Sequence, residues 1–232
     1  MKIIWITPTR FGKDLCQTTQ VEAARAMKER GLEITFVAPN NDSAEDFLNE
    51  NMLEYRLIDC SGRNGWRSFS FSRSLRKELG AIIDETGAEV AIVEWHAVIG
   101  SSGVLREKSV PWIIEDRSPP VSSGLIGRAQ WILYDRSWKI GSKEANGAGV
   151  ISDELDRFTS KRFDHDLVTA IWPSGVDNNS FAPKEKNSNG AIVLIYHGSI
   201  DSVRNVPLLV DVGDKIIQRG KKIEMVIIGS GS

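Results

Sequence analysis

Apolar runs of strand length alternate with amphipathic helical patterns along almost the whole chain. Residues 3–7 are an apolar run closed by Pro8. Residues 18–30 then carry Val21, Ala24 and Met27 on one helical face, and Gly31 is placed to cap that helix. A second strand is expected at 33–38, a short helix at 43–51 and a third strand at 53–58. The rhythm continues with helix 71–86 and strand 90–95, then helix 98–108 and strand 111–115. It closes with helix 125–145, strand 148–152, helix 153–162 and strand 167–172. Strands separated by helices of this length imply a parallel sheet covered on both faces, an α/β fold of Rossmann-like type.

Residues 173–189 break the pattern. Pro, Gly, Asn, Ser and Lys dominate there without periodicity, which reads as a linker between a first domain at 1–172 and a second at 190–232. After it, strand 191–197, helix 205–219 and strand 222–228 restart the alternation. A lone β-α-β unit cannot bury both faces of its sheet, so the second domain is expected to be truncated. The final Gly229-Ser230-Gly231-Ser232 is read as a native glycine turn rather than an appended linker.

Composition changes this picture little. The 232 residues carry a formal net charge of −2, so no global field points to nucleic acid as a partner. Cys16 and Cys60 lack metal-ligand spacing and read as free thiols of a reducing compartment. The N-terminal apolar run is too short for a signal peptide, and none in the chain approaches a membrane span. The expectation is a cytoplasmic protein with at most peripheral contact at the inner face of a membrane.

Three stretches, taken in order, carry a family resemblance. Residues 1–39 give a strand, a loop holding Gly12, and a helix ending Met-Lys-Glu-Arg-Gly before a second strand. Residues 171–183 read Ile-Trp-Pro-Ser-Gly-Val-Asp-Asn-Asn-Ser-Phe-Ala-Pro, and residues 195–204 read Ile-Tyr-His-Gly-Ser-Ile-Asp-Ser-Val-Arg. Together they resemble the retaining, GT-B-fold glycosyltransferases of family four, the group containing sucrose synthases and mannosyltransferases. The likeness covers the first three-fifths or so of a typical member. It stops short of the region where members carry the paired glutamates that hold the donor.

The resemblance implies a GT-B-like architecture and transfer of a sugar from a nucleotide-diphosphate donor to a saccharide or lipid acceptor. No metal or other cofactor is implied, the nucleotide-sugar serving as co-substrate. It also implies front-face displacement driven by positioning and electrostatics, in polysaccharide or glycolipid biosynthesis. The departures are specific. Gly12 stands alone where many members have a glycine pair, Ser199 replaces a phosphate-binding arginine, and Arg204 replaces a lysine while keeping the cation.

Ligands of parallel sheets bind beyond the carboxyl ends of the strands, and the candidate residues cluster there. Gly198, Ser199 and Arg204 are candidates for the diphosphate, against an ordinary turn with a solvated arginine. Gly12 and Lys13 are acceptor candidates, against a turn glycine and a surface lysine. His96 and Glu94 are expected to share a face with Ile92 by the period of two. His96 is a catalytic candidate or a structural histidine, and Glu94 a substrate contact or a satisfied buried carboxylate. Asp116, Arg117 and Ser118 are expected in a solvent-facing loop stiffened by Pro119 and Pro120. Asp116 is the second catalytic candidate, and Arg117 and Ser118 are substrate contacts; a surface Asp-Arg pair is the alternative.

Other features are weaker. Asp164-His165-Asp166 spells a metal signature but lies in a polar turn. Trp131, Tyr134 and Trp138 read as helix packing. The stretch 63–77, from Arg63 to Lys77, interleaves basic residues with Trp66, Phe69 and Phe71 and suits either anionic lipid headgroups or a mobile loop. The expected function is a glycosyltransferase of hexosyltransferase type, with this chain inactive alone. The competing reading is a non-catalytic remnant or binding subunit with the same fold.

Overall fold

The computed structural model describes residues 1–14, 17–60, 67–122, 124–175, 192–200 and 204–230. The chain divides into two compact units, Met1–Phe181 and Ala182–Ser232. Most of the expected linker, and residues 63–66 of the basic aromatic stretch, lie outside the described residues.

In the first unit the strands are β1 (Lys2–Ile6), β2 (Glu33–Pro39), β3 (Glu54–Ile58), β4 (Val90–Glu94), β5 (Trp112–Asp116), β6 (Gly147–Val150) and β7 (Thr169–Ile171). All neighbours pair in parallel, in the order β3-β2-β1-β4-β5-β6-β7. The connecting helices are α1 (Gln17–Glu29), α2 (Ala44–Glu50), α3 (Arg67–Thr86), α4 (Val98–Glu107), α5 (Gly124–Glu144) and α6 (Asp153–Phe163). The strand order reverses direction between β1 and β4. With right-handed crossovers, this sends α1 and α2 to one face of the sheet and α3 to α6 to the other.

Each face has its own core, as the two-residue period of the strands requires. On the α1 side, Trp5, Phe11, Ile34, Phe36, Leu48 and Ile92 are buried together. On the other side, Ile4, Val93, Leu79, Leu105, Ile114 and Trp138 form the larger cluster. Local signals fix the helix ends. Ser152 caps α6 by accepting a hydrogen bond from the Leu155 amide at 3.2 Å, three acidic residues fill the first turn, and Asp164 closes the helix in the left-handed conformation. Asp164 is thus a helix terminator, and among the described residues no group of three or more His, Cys, Asp or Glu has metal-holding geometry.

The second unit holds β8 (Ile192–His197), α7 (Val206–Gln218) and β9 (Ile223–Ile228). β8 and β9 form a two-stranded parallel sheet separate from the first. α7 packs closely enough that a Cβ on Gly213 would stand 2.5 Å from the Met225 methyl. The strand tips are joined by backbone: the Gly198 amide donates to the Ile228 carbonyl and the Ile200 amide to the Ser230 carbonyl, each at 3.0 Å. Among the described residues no helix is long and apolar enough to cross a membrane.

The α3–α4 contact turns on a glycine. A Cβ on Gly100 would lie 2.9 Å from the Ser72 carbonyl oxygen and 3.0 Å from its Cα, backbone atoms that cannot swing aside. Gly100→Val is expected to destabilise the fold by about 1–3 kcal/mol through overpacking. A lowered urea midpoint at unchanged m-value measures it.

Candidate functional site

Strand register assembles the site. Thr7 follows β1, and the β1–β4 and β4–β5 registers carry its row through Glu94 and Glu115 to Gly149 on β6. Side chains of one row point to one face, so two carboxylates stand side by side on the α1 face, at the reversal of strand order. Thr7 donates to Glu94 Oε1 at 2.7 Å, and the Gln20 side-chain amide of α1 donates to the same oxygen. Thr7 Oγ1 in turn accepts from the Thr9 amide at 3.0 Å and from Gln20 Nε2 at 3.1 Å. Glu115 is fully buried and accepts from the Trp5 indole N–H at 2.8 Å. Arg117 Nη1 lies 3.7 Å from Glu115 Oε1, and its Nη2 donates to the Ser174 hydroxyl at 2.7 Å.

Burial disfavours the charged form of both glutamates. It pushes Glu94 up to about 7, opposed by the Thr7 hydrogen bond and the Arg117 charge. Glu115 is pushed up to about 8 by burial and then by Glu94 itself, against the pull of Arg117. The pair therefore retains protons near neutrality and titrates as a unit.

A cavity of about 240 Å³ opens beside this row. Trp5, Thr19, Glu22, Ala23, Arg117 and Trp172 contribute to its lining. Trp172 stacks on Trp5 with centroids 5.4 Å apart and rests on Gly149, where a Cβ would come within 3.3 Å of the indole nitrogen. Gln20 Oε1, Glu115 Oε1 and Trp172 Nε1 are buried without a hydrogen-bond partner among the described residues. Buried polar atoms are normally satisfied by protein, water or ligand, so three such atoms on this one sheet face mark a place for a polar occupant. A larger hollow of about 690 Å³ beyond the tips of β2 and β3 is rimmed by Asp42, Glu45, Asp46 and Asp59. That acidity repels a diphosphate.

The remaining expected site residues are placed differently. Asp116 ends β5 and points to the opposite face. It is fully buried, and its Oδ2 accepts from Tyr134 at 2.6 Å and Trp138 at 2.8 Å. Burial raises its pKa, while those two donors lower it. The expectation of a solvent-facing Asp116 is corrected: the strand runs on to this residue, and the donors of α5 hold it in the core. Ser118 lies in the following loop, where its carbonyl accepts from the Trp95 indole at 3.2 Å.

His96 sits in a turn, because β4 ends at Glu94. The alternation expected to align it with Glu94 stops there. Its ring stacks on Trp95, with centroids 3.4 Å apart, and Trp95 belongs to the core of the opposite face. His96 is exposed on its outer side, while protein crowding its inner side lowers the pKa to about 4, a push that the solvent moderates. The imidazole is neutral at pH 7.

Gly12 has φ +79°, and a Cβ there would stand 2.7 Å from Ser43 Cβ and 2.8 Å from the Ser43 carbonyl. Its amide donates to Gln17 at 2.7 Å. Lys13 pairs with Asp42. Both residues thus tie the β1 loop to the β2–α2 loop. In the second unit the Gly198 amide is taken by Ile228, the Ser199 carbonyl accepts from the Tyr196 hydroxyl at 2.6 Å, and Arg204 precedes Asn205, the left-handed N-cap of α7.

Thr7, Trp5, Gln20 and Trp172 were not among the expected site residues. Pairing of β1 with β4, distant in sequence, brings the first three to the carboxylates, and no local spacing encodes that.

No protein-family model matches the sequence, and no curated protein matches it. Solved structures do. Anabaena Alr3699/HepE in complex with UDP superposes with a TM-score of 0.72 at 10% identity, over 100% of this chain and 62% of its own. A glycosyltransferase from Rickettsia africae gives 0.69 at 13%, over 98% and 60%. The apo lipopolysaccharide outer core galactosyltransferase WaaB gives 0.65 at 14%, over 100% and 62%. The chain has their GT-B-like α/β fold, and it spans about three-fifths of their length.

The carboxylate pair makes stability pH-dependent. The folded pKa values lie above the ordinary 4.5, so the native state holds protons that the unfolded chain releases. This contribution is therefore favourable at low pH and declines as pH rises from about 4.5 to about 8. Glu115→Gln, neutral at every pH, is expected to flatten that decline and to exceed the parent at about pH 8 by on the order of 1–3 kcal/mol. Urea midpoints at about pH 5 and about pH 8 check it.

Proposed function

We propose that this chain supplies the acceptor side of a glycosyltransferase, one that moves a sugar from a nucleotide-diphosphate donor to a saccharide or lipid acceptor with retention of configuration. The observation that carries the reading is the cavity at the strand-order reversal, whose lining residues Trp5 and Arg117 both contact the buried Glu115 of the carboxylate row. Its chemistry suits a sugar. The Trp172 indole, backed by Trp5, takes the C–H side of a pyranose, and Thr19, Glu22 and Arg117 offer donors and acceptors to its hydroxyls. The solved structures of like fold, one of them holding UDP, support a nucleotide-sugar as donor.

In this reading Glu94 and Glu115 position rather than attack. The pair acts through Trp5 and Arg117, cavity-lining residues that contact Glu115, and so fixes where an acceptor can lie. Arg117, which lines the cavity, is assigned to binding substrate oxygens there. Gly198, Ser199 and Arg204 of the second unit are assigned, taken by themselves, to binding a nucleotide diphosphate, and no metal takes part. His96, neutral and exposed, is assigned a hydrogen bond to substrate. Asp116 acts through Tyr134 and Trp138 by fixing the middle of α5 against the end of β5, and it is not assigned a contact with substrate.

Saturation-transfer NMR with a panel of monosaccharides and nucleotide-sugars tests the reading on the chain as it stands. Saccharide binding is expected at millimolar concentration, weakened about tenfold or more in Trp172→Ala, the loss of a buried aromatic contact. No sugar transfer is expected from the 232 residues alone. Absence of binding by every saccharide and nucleotide-sugar contradicts the proposal. Turnover giving the inverted anomer contradicts its stereochemistry.

A further inference from the structure

α5 has two faces that are both apolar, and among the described residues only one is covered. Gly127, Tyr134, Ser137, Trp138 and Gly141 are buried against the sheet. At about 100° per residue, Leu125, Ile126, Ala129, Ile132 and Leu133 fall on the other side. There Leu125 is 81% exposed, Ile126 69%, Ile132 68% and Leu133 47%, and Val121 just ahead of the helix is 68% exposed. Scattered exposed apolar residues are ordinary, but a continuous stripe over the first half of one helix is not.

The exposed charges carried by α5 itself are of one sign. Arg128, Arg136, Lys139 and Lys143 are exposed along the helix. Its two acidic residues are committed to neighbours, Asp135 to Arg162 at 2.9 Å and Glu144 to Arg106 at 2.8 Å. Apolar side chains ahead of a basic fringe match the two layers of an anionic bilayer surface, acyl chains below phosphate headgroups. A second copy fits less well. An isologous contact centred on the stripe would bring the two copies of Arg128 together, and so short a stripe covers well under the roughly 800 Å² per partner of a stable interface.

We propose that the first half of α5 docks this protein on an anionic membrane, with Leu125, Ile126, Ile132 and Leu133 entering the interface and Arg128 and Arg136 meeting lipid phosphates. α5 begins eight residues after Asp116, at the same edge of the sheet as the carboxylate row. α5 covers the face opposite the carboxylate row, so docking there brings the shared carboxyl-end edge of the sheet, and not the cavity itself, to the membrane. The docking surface stands without the transferase reading and is tested apart from it.

The test is flotation of the chain with phosphatidylcholine vesicles, pure or containing about 30% phosphatidylglycerol. Binding is expected to the anionic vesicles only, and to fall at least tenfold in the triple variant Leu125→Ser/Ile126→Ser/Leu133→Ser. The double variant Arg128→Glu/Arg136→Glu is expected to lose at least about fivefold per residue changed, and about 0.5 M salt to weaken the parent likewise. All these side chains are exposed, and unchanged circular dichroism and melting confirm that each variant folds. Failure to float with anionic vesicles overturns the proposal. So does flotation that survives both variants but is lost in Phe69→Ser on α3, or a dimer in sedimentation that the triple variant dissolves.

Discussion

Two carboxyl groups side by side in a dry sheet cannot both ionise cheaply, and the surroundings of Glu94 and Glu115 answer that constraint. Glu94 rests on Thr7 and Gln20, and Glu115 on Trp5, with Arg117 drawn toward the pair from the following loop. Removing a lone charge from water costs several kcal/mol, so the pair keeps protons and leans on a nearby cation. An apolar row at this position would give a more stable sheet. Polar groups held instead at the point where the strand order reverses are what a binding site requires.

The same strand end serves two purposes on its two faces. Glu115 turns toward α1 and the cavity; Asp116, one residue on, turns toward α5 and is fixed by Tyr134 and Trp138. Alternation along β5 thus separates a polar surface open to a ligand from a buried clamp. That clamp grips the middle of α5 through Tyr134 and Trp138 and so fixes which of its faces turns to the sheet. Gly149 completes the cavity side, since its missing side chain lets Trp172 lie across β6 and stack on Trp5.

Strands, helices and the restart after residue 190 were legible in the sequence because each depends on local period and on Gly or Pro at the ends. The observed elements lie within a few residues of their expected bounds. The candidate site was legible only in part. Glu94 and Arg117 could be picked out as polar residues at strand ends, but Thr7, Gln20, Trp5 and Trp172 join them through pairings across distant parts of the chain. Asp116 was misread as solvent-facing because charge and a following double proline suggested a loop. Its donors lie eighteen and twenty-two residues further on. His96 was misaligned because the period of two was carried past the end of β4. Gly12 was legible as a necessary glycine, while the reason for it, the nearness of Ser43, belongs to tertiary packing.

The account rests on protons retained by these two buried carboxyl groups at neutrality, and carboxyl-carbon NMR across a pH titration observes them directly. With the side chains of Glu94 and Glu115 assigned, both resonances are expected to move together, with coupled midpoints well above the ordinary glutamate value and protonation persisting at neutrality. Independent titration of the two groups near about 4.5 would mean that the row is hydrated and fully charged, and the site as described would not exist.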